Sequence, residues 1–165
     1  MPTIALLNGH AFAGGIMLSM YHDYRIANPN RGFLCLNELD LGVPLKPAMS
    51  SIFREKLTAQ VYREMVLEAK RFGGKEAFEK GIVDGLGGPD EALLFIDAKK
   101  LTEKARMGVY GSLKREMFRE TLRYIDHLDS EEINVEKGDE RETKHQEEVT
   151  DRVREWERNN TKAKL

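Results

Sequence analysis

The first third of the chain alternates short apolar runs with small-residue turns, a pattern typical of buried strands joined to helices. The first run, 4–7, ends at an Asn-Gly pair and predicts a strand buried on both faces. A small-residue turn over 9–15 then leads into an apolar segment that predicts a buried helix. Two further strands are predicted at 24–27 and 33–36, with a turn-forming stretch over 28–32 between them.

From Ser50 onward the apolar positions recur at helical spacing. Helices are predicted over 59–70 with Thr58 as N-cap, over 75–80 up to Gly81, and from Pro89 to about Met107. Residues 82–84 predict a short strand or extended piece between the last two. Ser112 is then predicted to cap a helix with an apolar stripe, which comprises Leu113, Met117, Phe118, Leu122, Ile125 and Leu128.

After Asp129 most residues are charged, with both signs interspersed. Val149, Val153 and Trp156 nevertheless lie at i, i+4 and i+7, which predicts a final amphipathic helix with a solvated charged face. A shift in composition near Gly88 divides the chain. We therefore expect an α/β core over 1–88 and an all-helical region over 89–165.

Composition and charge exclude several classes of function. The chain has 165 residues, of which 41% are hydrophobic and 33% charged, an ordinary mixture for a domain with a real core. A net charge of −2 gives no electrostatic argument for a nucleic acid or an anionic membrane as partner. One cysteine, Cys35, excludes an internal disulfide framework, and His22, His127 and His145 are too scattered for a metal site. No apolar run approaches the length that spans a bilayer.

A glycine pair, Gly14-Gly15, lies between the first predicted strand and the helix that follows. Backbone N–H groups at a helix N-terminus have no intrahelical acceptor, and together with the helix dipole they suit developing negative charge. The alternative is that these glycines only permit tight packing of strand against helix.

A carboxylate, Glu38, follows the third predicted strand and lies next to Leu39. We expect it to be partly desolvated, which favours the protonated form and suits a general base. The alternative is that Glu38 turns outward to solvent, as charges at strand ends often do. Asp40, two residues on, is the rival carboxylate.

Several segments together resemble the crotonase (enoyl-CoA hydratase/isomerase) superfamily, and most of all its Δ3,Δ2-enoyl-CoA isomerase branch. They are GHAFAGG at 9–15, DYR at 23–25 and LNELDLG at 36–42, followed by RFGGKEA at 71–77 and KGIVD at 80–84. The resemblance implies the C-terminal part of a spiral of ββα units followed by helices that mediate trimer contacts. It extends from Met1 to about Gly85, and the helical remainder resembles the family in kind only.

The resemblance also implies a chemistry, in which paired backbone N–H groups stabilise a thioester enolate while a carboxylate moves a proton. By position, Gly14 matches the glycine that gives one of those N–H groups, and Glu38 matches the carboxylate. The hydratases carry a second glutamate where this chain has Met17, so the resemblance favours isomerase over hydratase. Other substrate-pocket residues implied by position are Ala13, Gly15, Asn37 and Leu41. Lys114, on a helix after Gly111, is a candidate for contact with CoA phosphates, or else part of a solvated face.

The family's N-terminal half, which supplies the other oxyanion donor and several core strands, has no counterpart in this chain. We therefore expect half of the oxyanion hole, an open sheet edge and a homo-oligomer, either a trimer or a dimer of trimers. The implied substrate is a 3-enoyl-CoA, with no metal or redox cofactor. The alternatives are a hydratase-like enzyme or a catalytically silent interaction subunit.

The chain ends in Ala163-Lys164-Leu165, a relative of the Ser-Lys-Leu peroxisomal address. Such a signal is read by an import receptor. With the resemblance, it predicts a flexible targeting tail, a peroxisomal location and a role in fatty-acid β-oxidation.

Overall fold

A computed structural model describes residues 1–106 and 108–162, with side chains throughout these ranges except at 129–136 and 160–162. The strands are β1 (Ile4–Leu7), β2 (Ala11–Phe12), β3 (Tyr24–Ala27), β4 (Phe33–Cys35), β5 (Phe72–Gly73) and β6 (Gly85–Leu86). The first helices are α1 (Gly14–Met20), α2 (Glu38–Leu41), α3 (Pro47–Lys56), α4 (Ala59–Leu67) and α5 (Gly74–Glu79). The remaining helices are α6 (Pro89–Ala98), α7 (Leu101–Lys104), α8 (Tyr110–Met117), α9 (Arg119–Asp126) and α10 (Leu128–Lys162).

The strands form two small sheets. One has the order β1-β3-β6 with parallel neighbours, and the other has the order β2-β4-β5, in which β2 and β4 are parallel. Strand β1 therefore lies at a sheet edge, as expected. The prediction that β1 is buried on both faces is wrong: none of its residues is fully buried, and Leu6 is 39% exposed. An edge strand paired on one side only cannot be covered as a central strand is.

The hydrophobic core lies where helices α1, α3, α4 and α5 meet the strands. Its fully enclosed side chains include Ile16, Met20, Leu36, Ile52, Phe53, Met65, Phe72 and Ile82. The sequence prediction of a buried helix after the glycines is confirmed by Ile16 and Met20, whereas Leu18 is exposed. This core fixes the direction of the α1 axis, and with it the position of the turn that precedes the helix.

One helix boundary matches its prediction, and two predicted helices differ from the structure. The Thr58 side chain accepts a hydrogen bond from Val61 N at 3.3 Å, which confirms it as the N-cap of α4. The predicted helix from Pro89 to about Met107 is instead divided into α6 and α7, because Lys100 takes a left-handed conformation with φ 51°; Met107 itself lies outside the described residues. Ser112 is not the N-cap of its helix, since α8 begins at Tyr110.

The predicted extended piece at 82–84 does not join a sheet. The backbone N–H groups of Ile82 and Val83 both donate to Ala77 O, at 2.8 and 3.2 Å, and so close the end of α5. The strand follows one residue later, as β6. Of the predicted stripe over 113–128 only Phe118 is buried, while Leu113 and Met117 are each 66% exposed.

The chain separates into two compact units, residues 1–126 and 127–165. The second unit is essentially the long helix α10, which confirms the predicted final helix. Helices α6 to α9 belong to the first unit with both sheets. The predicted division near Gly88 was drawn by type of secondary structure, and it stays a prediction. Within the described ranges, no helix has both the length and the apolar character that a membrane span requires.

A buried carboxylate, Glu64, ties α4 to the segment that leads through β5 into α5. Its oxygens accept hydrogen bonds from Lys80 Nζ at 2.7 and 2.9 Å, from Gln60 at 3.0 Å and from Lys70 at 3.2 Å. The hydrogen bonds from Lys80 and then Gln60 lower the pKa of Glu64 to about 2. Since ionised Glu64 is favoured in the folded state, it stabilises the fold wherever it is charged.

We expect Glu64→Gln to lower the free energy of unfolding at neutral pH. The folded-state pKa lies below the ordinary value of 4.5, so the contribution is complete above about pH 5 and is lost as pH falls toward 2. Urea unfolding of both proteins at a series of pH values should therefore give curves that converge in acid. Glu79→Gln, a change at an exposed carboxylate on α5, is the control and should leave the unfolding free energy almost unchanged. A difference that persists unaltered down to pH 2 would contradict this account.

Candidate active site

The carboxyl ends of β2 and β4 bring the two predicted catalytic segments to one place. These strands are parallel, with Ala11 opposite Leu34 and Phe12 opposite Cys35. Beyond the ladder, Ala13 N donates to Cys35 O at 3.0 Å. Residues that follow parallel strands emerge at the same sheet edge, which is where open α/β sheets place ligands. The turn before α1 and the turn before α2 therefore adjoin.

The turn before α1 has an unusual backbone. Ala13 has φ 46° and ψ −119°, which is strained for a residue with a side chain, and α1 starts at the next residue, Gly14. The N–H groups of Gly14 and Gly15 have no intrahelical acceptor, and both residues are exposed. A Cβ built on Gly14 would meet no atom within 4 Å. Tight strand–helix packing therefore does not explain a glycine at position 14.

Glu38, the first residue of α2, is only 9% exposed. Its Oε2 atom is completely buried and has no hydrogen-bond partner within the described part of the chain. The expectation that Glu38 is desolvated is thus confirmed, and the alternative of a solvated side chain is wrong. Asp40, the rival carboxylate, is exposed. A buried carboxylate oxygen with no donor is costly and is retained where it serves a reaction or a ligand.

Asn37 presents a second acceptor of the same kind. At the N-cap of α2 its side chain could accept a hydrogen bond from the first turn, but it makes no such bond. Its Oδ1 atom is instead buried without a partner among the described residues. Two adjacent residues thus hold acceptors that lack donors, so the site is complementary to a group that supplies an N–H, an O–H or a proton.

The other predicted pocket residues occupy different surroundings. Met17 is half-buried and packs against the hydrophobic core, so this position is apolar. Leu41, on α2, is 60% exposed. Lys114 lies on α8, where its Nζ forms an ion pair of 2.8 Å with Asp23 Oδ1. The proposed contact of Lys114 with CoA phosphates stays a prediction.

A cavity of about 410 Å³, lined by both charged and apolar side chains, was not predicted. Its lining includes Asp23, Arg25, Lys56, Tyr110 and Lys114. Burial, and secondarily the charge of Arg25, lowers the pKa of Lys56 to about 8, although its Nζ donates to the carbonyls of Met20 and His22. These contacts join residues far apart in the chain, so no local pattern in the sequence could have indicated them.

Comparison with known proteins defines the class to which this fold and site belong. The family model for enoyl-CoA hydratase/isomerase matches residues 1–152. The chain therefore belongs to the enoyl-CoA hydratase/isomerase family, which confirms the resemblance and the crotonase-like α/β fold.

Enoyl-CoA delta isomerases are among the relatives to which this chain is similar. The chain is 34% identical over 132 residues to enoyl-CoA delta isomerase 3 of Arabidopsis thaliana, an alignment that covers 76% of this chain and 56% of that protein. It is 36% identical over 126 residues to the peroxisomal enoyl-CoA delta isomerase 2 of the same plant, covering 73% and 52%. An enoyl-CoA hydratase/isomerase family protein from Pseudomonas syringae has a similar structure, with a TM-score of 0.62 at 26% identity over 72% of this chain and 52% of that one. The chain spans about half the length of the curated relatives that it matches.

We expect Glu38→Met to stabilise the protein while Glu64→Met destabilises it. Removing a buried acceptor that lacks a donor relieves a cost of about 1–3 kcal/mol, whereas removing a fully bonded carboxylate leaves its donors unpaired. Urea unfolding at neutral pH gives both free energies. A loss of stability in Glu38→Met as large as that in Glu64→Met would show that Glu38 is a structural residue.

Proposed function

We propose that this chain carries the proton-transfer half of an enoyl-CoA isomerase site, which shifts a 3-enoyl-CoA double bond to give the trans-2-enoyl-CoA. The observation that carries the proposal is the buried Oε2 of Glu38, an acceptor that has no hydrogen-bond partner among the described residues. Family membership and the delta isomerases among the relatives support the choice of an acyl-CoA thioester as substrate.

In the proposed reaction the thioester oxygen lies at the N–H of Gly14, at the exposed start of α1. Glu38 removes a C2 proton, which is acidic because both the carbonyl and the C3 double bond delocalise the electron pair left behind. Negative charge moves onto the thioester oxygen, where one preorganised N–H donor contributes roughly 3–4 kcal/mol. The strained Ala13, bonded to Cys35 O, fixes the direction of the peptide that carries this N–H.

Protonated Glu38 then returns its proton to C4 as the double bond moves between C2 and C3. The carboxylate is regenerated, so one residue acts first as base and then as acid and no atom is gained or lost overall. Water must be kept away from the intermediate, because it would exchange or divert the proton. The half-buried Met17 supports this requirement, since it puts a thioether where a hydratase has the carboxylate that activates water.

A hydratase-like activity is the second candidate within the family, and Met17 argues against it. The oxyanion hole of the family has a second donor from a region that this chain's match does not include. The proposal therefore also covers turnover by this chain alone, its acyl-chain preference, and its assembly into a trimer or a dimer of trimers.

Glu38→Gln is expected to lower the isomerisation of 3-hexenoyl-CoA by roughly 10²–10⁴-fold, because a neutral amide cannot accept the C2 proton. The product is followed with a coupled hydratase and dehydrogenase. Asp40→Asn, which neutralises the exposed carboxylate two residues away, is the matched control and should retain wild-type activity. Equal activity of wild type and Glu38→Gln would remove Glu38 from the mechanism. Binding of the acyl-CoA without turnover in either protein would support the silent interaction subunit.

A peroxisomal location is proposed from the terminal residues Ala163, Lys164 and Leu165, which lie outside the described residues. Some relatives carry the word peroxisomal in their names. A fluorescent protein fused ahead of the whole chain should be imported into peroxisomes, and deletion of these residues should leave it in the cytosol, because the import receptor reads a free C-terminal tripeptide. A substitution at Asn159, upstream of the tripeptide, is the control. Import that survives the deletion would refute this part of the proposal.

A further inference from the structure

The cavity of about 410 Å³ has carboxylates in its lining, and each of them already has a partner. Asp84 forms an ion pair with Arg25 at 2.9 Å. Asp23 forms an ion pair with Lys114 at 2.8 Å. Glu55 accepts hydrogen bonds from a backbone N–H and a hydroxyl group of α9, at 3.3 and 3.0 Å. The negative charges of the cavity are therefore taken up by groups other than its remaining amine.

That amine belongs to Lys56, the last residue of α3, which forms no ion pair with any carboxylate in the described ranges. Its Nζ donates instead to the backbone carbonyls of Met20 and His22. A protonated amine has three N–H donors for these two acceptors, whereas a neutral amine donates both of its hydrogens and keeps a lone pair. The ring of Phe118, centred 4.9 Å from Nζ, attracts a cation but is a weaker partner than a carboxylate. The contacts of Lys56 therefore suit the neutral, nucleophilic form.

Apolar side chains lie in the same cavity as this amine. Leu113 and Met117, on α8, belong to the lining and are each 66% exposed, while the lining residue Phe118 is buried. Because part of the lining is exposed, a molecule can enter from solvent, and the apolar side chains favour an alkyl chain. A volume of about 410 Å³ is enough for the acyl end of a thioester, while a polar carrier stays outside. The cavity therefore suits a reagent with an apolar acyl group and an electrophilic carbonyl.

We propose that Lys56 is an acylation site, at which the amine takes the acyl group of an acyl-CoA thioester. The lone pair of Nζ attacks the thioester carbonyl carbon, so that a C–N bond forms and the C–S bond breaks. CoA leaves as the thiol with the proton that the amine gives up, and nothing is oxidised or reduced. The choice of reagent rests on the proposed function, but the cavity contains neither Gly14 nor Glu38.

The pKa of Lys56 agrees with this chemistry. Burial, and then the charge of Arg25, lowers this pKa to about 8, while the carboxylates of Asp23 and Asp84 raise it by less. Burial raises the pKa of Tyr110 to about 12, so its hydroxyl group stays neutral. The charged and titratable groups that otherwise surround the amine are His22, Asp23, Arg25, Glu55, Asp84 and Lys114.

The lowered pKa sets the size of the expected effect. At about pH 7.5 roughly one in four amines with this pKa is neutral, against about one in a thousand for an ordinary lysine. A less basic amine is also a weaker nucleophile, as is known for thiols, so the net advantage in rate is roughly tenfold.

The test is site-resolved mass spectrometry of the full chain after incubation with hexanoyl-CoA, a saturated thioester that has no double bond to shift. At about pH 7.5, Lys56 should be hexanoylated roughly tenfold faster than Lys75, an exposed lysine on α5. Lys114, in the same cavity but paired with Asp23, is the matched control and should react no faster than Lys75. The rate at Lys56 should level off above about pH 8, whereas an ordinary lysine gains neutral amine up to about pH 10.

Two further measurements separate the folded cavity from other causes. In concentrated urea the preference for Lys56 should disappear, because the cavity is lost. Glu38→Gln should be hexanoylated like wild type, so a failure of the isomerase proposal and a failure of this one are distinct results. Acylation of Lys56 no faster than that of Lys75, or slower than that of Lys114, would overturn the proposal. So would a rate at Lys56 that keeps rising through pH 10, or a preference for Lys56 that persists in the unfolded chain.

Discussion

The parallel pairing of β2 with β4 is the constraint on which the candidate site depends. It is short, with Ala11 opposite Leu34 and Phe12 opposite Cys35, and the Ala13–Cys35 hydrogen bond extends it by one step. That single bond holds a strained alanine in place and so sets where α1 starts. The segments after β2 and β4 leave the sheet at the same edge. The N-terminus of α1 and the buried carboxylate of Glu38 therefore adjoin, although Gly14 and Glu38 are 24 positions apart in the sequence.

The polar groups of this site are unlike those elsewhere in the first unit. Glu64 and Asp23 are also well-buried carboxylates, and both accept several hydrogen bonds. Glu38 and Asn37 each hold a fully buried oxygen that accepts none within the described residues. Satisfied carboxylates stabilise a fold, whereas unsatisfied ones weaken it and persist for a reaction or a ligand. This contrast within one domain supports the proposal that Glu38 is the functional carboxylate more strongly than its burial alone.

Local patterns predicted local structure well. The strand at 24–27 and the Thr58 cap follow from short-range chemistry and match the structure. The burial of Glu38 was also predicted, but from the wrong cause: the apolar neighbours Leu39 and Leu41 are themselves 57% and 60% exposed. Glu38 is buried by tertiary packing, and such packing cannot be read directly from a single sequence. The two-residue strand β2 was missed for the same reason, since its hydrogen bonds reach residues more than 20 positions away.

The described chain has unmet requirements of two opposite kinds. Inside, acceptors at Asn37 and Glu38 lack donors; outside, apolar side chains on α8 and α10 lack cover. In a protein that needed neither a ligand nor a partner, apolar residues at positions 37 and 38 and polar residues on the exposed helix faces would increase the free energy of unfolding. The two requirements also differ in what can satisfy them. A proton or a small polar group fits a buried oxygen, whereas only an extended apolar surface covers a helical stripe. The buried acceptors and the exposed apolar side chains therefore lie on different elements of this chain.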